Sequence, residues 1–142
     1  MEALKRLSQL VEECLSLEIV RKRNIERVKE LFERLGIDEK VERFGELFEF
    51  NAINVTGLSL QPGTLLQIQK GRYLQIIGIK KVEGRSKNIN LRYFGKVEKC
   101  DPKTIEEVGE FIIRWRLEKS FLGVDHYKGV LDEFGQKVGR TL

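Results

Sequence analysis

The chain has 142 residues, of which 41% are hydrophobic and 34% charged, and its net charge is +4. That length suffices for one domain that buries a real core without disulfides or metals, and no apolar run reaches the ~18–20 residues of a membrane span. Cys14 and Cys100 are too few for a disulfide framework or a zinc site, and the N-terminal segment lacks the apolar core of a signal peptide, so the expected compartment is the cytoplasm.

Met1 to about Leu35 is predicted helical. Leu4, Leu7, Val11 and Cys14, then Ile25, Val28, Phe32 and Leu35, repeat at 3-4-3 spacing, a heptad seam with a gap in its middle. Carrying the seam across the gap puts Glu18 and Arg21 at core positions. A continuous helix of this length would run about 50 Å, longer than a small domain is wide, so part of it needs another surface to pack on. Two readings follow. The helix projects and pairs with a second copy through Leu4, Leu7, Val11, Glu18, Arg21 and Val28, the two charged residues fixing register. Alternatively it breaks near Arg21-Lys22-Arg23, with Asn24 capping a second helix. Cys14, on the apolar stripe, reads as a small buried hydrophobe.

Gly36 stops the helix, and Asp38 caps a short helix over 39–44 that Gly45 ends. Residues 47–60 read as a strand, interrupted near Gly57. After the turn Gln61-Pro62-Gly63 comes a strand over 64–69, then Lys70-Gly71-Arg72 as a tight turn. Long strands over 73–83 and 88–99 are joined by Gly84-Arg85-Ser86-Lys87. The register that best separates the faces pairs Val82 with Ile89, Gly78 with Tyr93, Ile76 with Gly95 and Leu74 with Val97. Ile68 and Leu66 then align with Leu74 and Ile76. The opposite face collects Gln67, Gln69, Tyr73, Gln75, Ile77, Ile79, Lys81, Asn90, Arg92, Phe94 and Lys96, with Phe94 facing Ile77.

Asp101-Pro102 opens a helix, aspartate at the cap and proline at the first turn; Thr104 with Glu107 offers a competing capping box. Ile105, Val108, Phe111, Ile112, Trp115 and Phe121 form its apolar stripe, and Gly123 is expected to end it. A last helix over 125–138 points Tyr127, Val130, Leu131, Phe134 and Val138 inward. The chain therefore reads as one α+β domain, 1–142. A helical arm (1–36) leads into an antiparallel meander of about four strands (46–100), and two C-terminal helices (101–142) pack on one face of the sheet.

Neither common phosphate-cradling glycine loop is present, nor any C-x-x-C or H-x-x-x-H pair, so no metal, no cofactor and no catalytic residue is assigned. His126 beside Asp125 lacks a marked nucleophile and reads as a surface or capping residue. A small enzyme with an unrecognised site is the minor alternative. Positive charge is concentrated in the strand region: residues 61–100 hold nine basic residues against Glu83 and Glu98. Lys and Arg neutralise phosphates, aromatic rings stack on bases and amides bond base edges. The expected function is non-enzymatic binding of DNA or RNA through Tyr73, Lys81, Arg85, Lys87, Asn90, Arg92, Phe94 and Lys96. The alternative, compatible with it, is a homodimer or other homo-oligomer assembled through the N-terminal helix.

Overall fold

A computed structural model describes residues 1–140 of the chain. The protein is α+β, with an N-terminal helix, a three-stranded antiparallel sheet and a C-terminal helix. Helix α1 spans Glu2–Arg34, strands β1 Ala52–Thr56, β2 Tyr73–Val82 and β3 Arg85–Lys96, and helix α2 Pro102–Val138. The sheet order is β1-β2-β3, and one cluster of buried apolar residues lies between its inner face and the two helices. From the sheet come Ile53, Leu74, Ile76 and Leu91; from the helices come Val28, Leu31, Phe32, Val108, Phe111, Ile112 and Trp115. The Trp115 indole N–H donates to the Leu47 carbonyl at 2.9 Å, which satisfies the one polar atom that this ring carries into the core.

Both helices are unbroken. Arg21-Lys22-Arg23 is helical, and Asn24 is no cap but a fully buried side chain. Its Nδ2 donates to the Arg114 carbonyl at 2.8 Å, and its Oδ1 accepts from Arg114 Nη1 at 3.1 Å, which locks α1 against α2. The expected second C-terminal helix is the continuation of the first. Gly123 weakens α2 without ending it: the left-handed conformation that closes this helix is taken at its C-cap, Gly139 (φ 72°). The expected start holds, with Asp101 Oδ1 accepting from Lys103 N at 3.0 Å and Pro102 in the first turn. The antiparallel helices are tied by a ladder of ion pairs: Arg34–Glu107 at 2.5 Å, Arg27–Glu110 at 2.9 Å, Arg21–Glu118 at 3.1 Å and Arg21–Asp125 at 2.8 Å. Arg27 donates through both Nε and Nη2 to Glu110, and together with Arg114 it holds that carboxyl below the usual range.

The sheet has three strands rather than about four. The segment expected as a strand over 64–69 turns back on residues 57–60, with Leu66 N bonding Ser59 O, Ser59 N bonding Gln67 O, and Gln69 N bonding Gly57 O. Leu66 sits at φ 65°, which no strand tolerates, and its side chain packs toward the core instead of pairing with β2. The short helix expected over 39–44 is replaced by two 3-10 turns, Ile37–Glu39 and Phe44–Glu49, so β1 begins only at Ala52. Gly57 ends β1 at φ 82°, where a Cβ would lie 2.8 Å from the Tyr73 carbonyl oxygen.

The β2–β3 register departs most from expectation. The turn is the two-residue Glu83-Gly84, with φ of 53° and 78°, the primed geometry that suits a right-twisted hairpin. Arg85, Ser86 and Lys87 therefore belong to β3. Val82 pairs with Arg85 and Gly78 with Ile89, a slip of four residues from the expected pairing that leaves the faces unchanged near the turn. Two bulges follow, leaving Leu91 and then Phe94 without a partner. Each bulge adds one residue and inverts the alternation beyond it. Tyr93, expected inside, is thereby turned outward, while Arg92 and Phe94, expected outside, lie on the inner side.

Candidate functional site

In an antiparallel pair, directly opposed residues share a face. Leu74, Ile76 and Gly78 are buried, so the alternate residues Tyr73, Gln75, Ile77, Ile79 and Lys81 look away from the helices. Opposite them on β3 stand Lys96, Tyr93, Asn90, Asn88 and Ser86, and on β1 stand Thr56, Asn54 and Ala52. None of these thirteen outward positions is an aspartate or glutamate, and four of them carry a primary amide. Ile77 and Ile79 form a half-buried apolar floor in the middle.

At one end of this face Tyr73 and Tyr93 are about half exposed, their ring centroids 5.9 Å apart and tilted by 34°. Thr56 Oγ1 donates to the Tyr73 carbonyl at 2.7 Å, and Val97 N bonds the Arg72 carbonyl, so the backbone around Tyr73 is held from both sides. The Glu98 carboxylate accepts from the Gly71 N–H, which keeps it charged below the usual carboxylate range and anchors the 70–72 turn. At the β1 edge lies a depression of about 410 Å³ lined by Asn54, Thr56, Leu60, Ile77, Ile79, Asn88 and Arg116. Arg116 reaches it from α2 and donates to Asn54 Oδ1 at 3.1 Å and to the Ile53 carbonyl at 3.4 Å. With its oxygen so engaged, Asn54 presents its amide N–H groups to a ligand.

The residues singled out in the sequence divide between the two faces. Tyr73, Lys81, Asn90 and Lys96 share the outer face. Arg85 and Lys87 oppose Val82 and Lys80 on the inner side of the hairpin tip, beyond the core. Arg92 lies beside Glu39 (3.5 Å), its guanidinium 5.8 Å from the Phe94 ring centroid, and Phe94 packs against the core rather than facing Ile77. Tyr93, Asn54 and Arg116 were not anticipated. Gly95, at φ 93°, marks the second bulge, at Phe94; Tyr93 is turned outward by the first, at Leu91, which no glycine signals.

The proposed oligomer set divides too. Leu4, Leu7, Val11 and Glu18 are exposed, whereas Val28 is completely buried in the core. Arg21 is engaged by Glu118 and Asp125 and lies 5.3 Å from the Phe121 ring centroid, so it sets the register of α1 on α2 within one chain. Cys14 is exposed rather than buried. His126 is exposed on α2 with its ring against Tyr127. Among the described residues no three His, Cys, Asp or Glu side chains come together as metal ligands, and no helix is long and apolar enough to cross a membrane. Comparison with protein-family models, with curated proteins and with solved structures finds no match to this chain.

Proposed function

We propose that the protein binds single-stranded nucleic acid in the cytoplasm, across the open face of its sheet, without catalysing a reaction. The observation that carries this reading is the composition of that face. Thirteen outward positions include no carboxylate, and the exposed Tyr73–Tyr93 pair lies between Gln75 and Lys96. The rings supply stacking platforms, the amides of Asn54, Gln75, Asn88 and Asn90 bond base edges, and Lys81, Lys96 and Arg116 neutralise phosphates. A single strand suits the site better than a duplex, because a broad sheet does not enter a groove but accepts splayed bases.

Anisotropy of a labelled oligonucleotide titrated with the protein tests the reading. Three cations contacting phosphate imply a slope of log K against log salt of about −2 for a single strand. Tighter binding of single strands than of duplex, with that slope, is the expected result; no binding at low salt would refute it. A second reading, assembly of copies through α1, is favoured by the uncovered Leu4, Leu7 and Val11 and is compatible with the first.

A further inference from the structure

The two helices outrun the sheet at the same end of the molecule, because they are antiparallel and their ladder ends at Arg21 and Asp125. Every residue from Met1 to Val20 is exposed, as are nearly all from Gly123 to Val138. Both arms are amphipathic. On α1 the stripe is Leu4, Leu7, Val11 and Cys14, backed by a polar row of Lys5, Gln9, Glu12 and Ser16. On α2 the stripe is longer. Leu117, Ser120, Val124, Tyr127, Leu131, Phe134 and Val138 follow each other at spacings of three and four residues, the period of helix-on-helix packing. Among the described residues, fifteen of the twenty-two exposed large apolar side chains lie on these arms.

The amount of uncovered surface identifies what is missing. The 16.5 kDa chain exposes 10393 Å², whereas a compact domain of that mass exposes about 7,500 Å², an excess of about 2,800 Å². A standard interface removes only about 800 Å² from each partner; the excess belongs to the obligate, core-like class. Helices in proteins draw most of their stability from packing an apolar face, and α2's arm carries Gly123, Gly129 and Gly135 besides, so a covering surface would stabilise both arms. Anionic lipid does not suit: residues 1–20 hold Lys5 and Arg6 against Glu2, Glu12, Glu13 and Glu18. One foreign helix would leave a stripe open. A second copy, related by a twofold axis, brings two more stripes of the same length and period, so that four stripes close on one another.

We infer that the occupant is a second copy of this chain, and that the arms of α1 and α2 from two copies close into an intermolecular four-helix bundle with the two sheets at its ends. The inference rests on the assembly reading and adds α2 to it; it does not depend on what the sheet binds. Light scattering on the full chain at micromolar concentration tests it, with Leu7→Glu in one arm and Leu131→Glu in the other. The expected wild-type mass is twice 16.5 kDa. Each single variant is expected to halve it while keeping the emission of buried Trp115, which reports an intact core. A wild-type mass of 16.5 kDa would overturn both the bundle and the assembly reading. A dimer broken by Leu7→Glu and unaffected by Leu131→Glu would overturn the bundle alone and leave assembly through α1 standing. A monomer that co-sediments with neutral phosphatidylcholine vesicles would overturn both in favour of a lipid surface.

Discussion

The two halves of each helix share a sequence period and differ in what covers them. From Asn24 onward α1 and its C-cap bury Val28, Leu31, Phe32 and Leu35 to 5% exposure or less, while before Val20 the equally apolar stripe is about half exposed. In α2 the division falls near Glu118: Val108, Phe111, Ile112 and Trp115 are inside, and Val124, Leu131 and Phe134 outside. Polar chemistry marks the boundary. The buried halves are stitched by Arg–carboxylate pairs and by Asn24, whereas among the described residues no interhelical ion pair reaches beyond Arg21 and Asp125. Periodicity therefore shows that a helix has an apolar face, and the pattern of cross-helix polar contacts shows where the chain itself covers it.

That contrast can be broken at its core. Phe111→Ala is expected to cost about 3–5 kcal/mol in urea unfolding, by an amount independent of protein concentration. Asn24→Ala, which removes a buried partner of Arg114, should cost about 1–3 kcal/mol by the same measurement. Glu110→Gln should cost about 1–2 kcal/mol near neutral pH, the exposed third of that side chain tempering the loss. Because the Glu110 carboxyl titrates lower in the folded chain than in the unfolded one, its contribution is complete above the unfolded value of about 4.3 and disappears as pH falls through the folded one. Thermal melts of wild type and Glu110→Gln should therefore converge in acid. The smallest effect is on the arms: Leu4→Ala should change stability by less than about 0.5 kcal/mol at high dilution, with a melting shift that grows with concentration.

Much of this architecture is written locally. The N-terminal seam, the Asp101-Pro102 helix start and the tight approach at Gly57 follow from spacing, capping and backbone freedom. The alternation of β2 and of the hairpin half of β3 separated Tyr73, Lys81 and Asn90 from the core. What sequence periodicity could not supply was where that alternation fails. Leu91 and Phe94 are ordinary strand formers, and they bulge because β3 must close over the core while keeping both Leu91 and Val97 buried. Gly95 marked only the bulge at Phe94, and no residue marked the one at Leu91. Likewise Gly123 has the identity of a helix stop, yet Arg21–Asp125 and Lys119 Nζ bonding the Phe48 carbonyl at 2.6 Å hold the flanking turns helical. Val28 and Leu7 occupy equivalent seam positions, and only the third dimension separates core from arm.

The central claim is that the outer face of the sheet, and not the basic hairpin tip, contacts nucleic acid. Ultraviolet cross-linking of a single-stranded oligonucleotide to the protein, followed by mass spectrometry of the linked peptides, addresses it directly. The expected adducts lie on Tyr73 and Tyr93 and are lost in Tyr73→Ala and Tyr93→Ala variants whose melting is unchanged. Adducts confined to Arg85–Lys87 or to the helical arms, or no adducts at low salt, would contradict it.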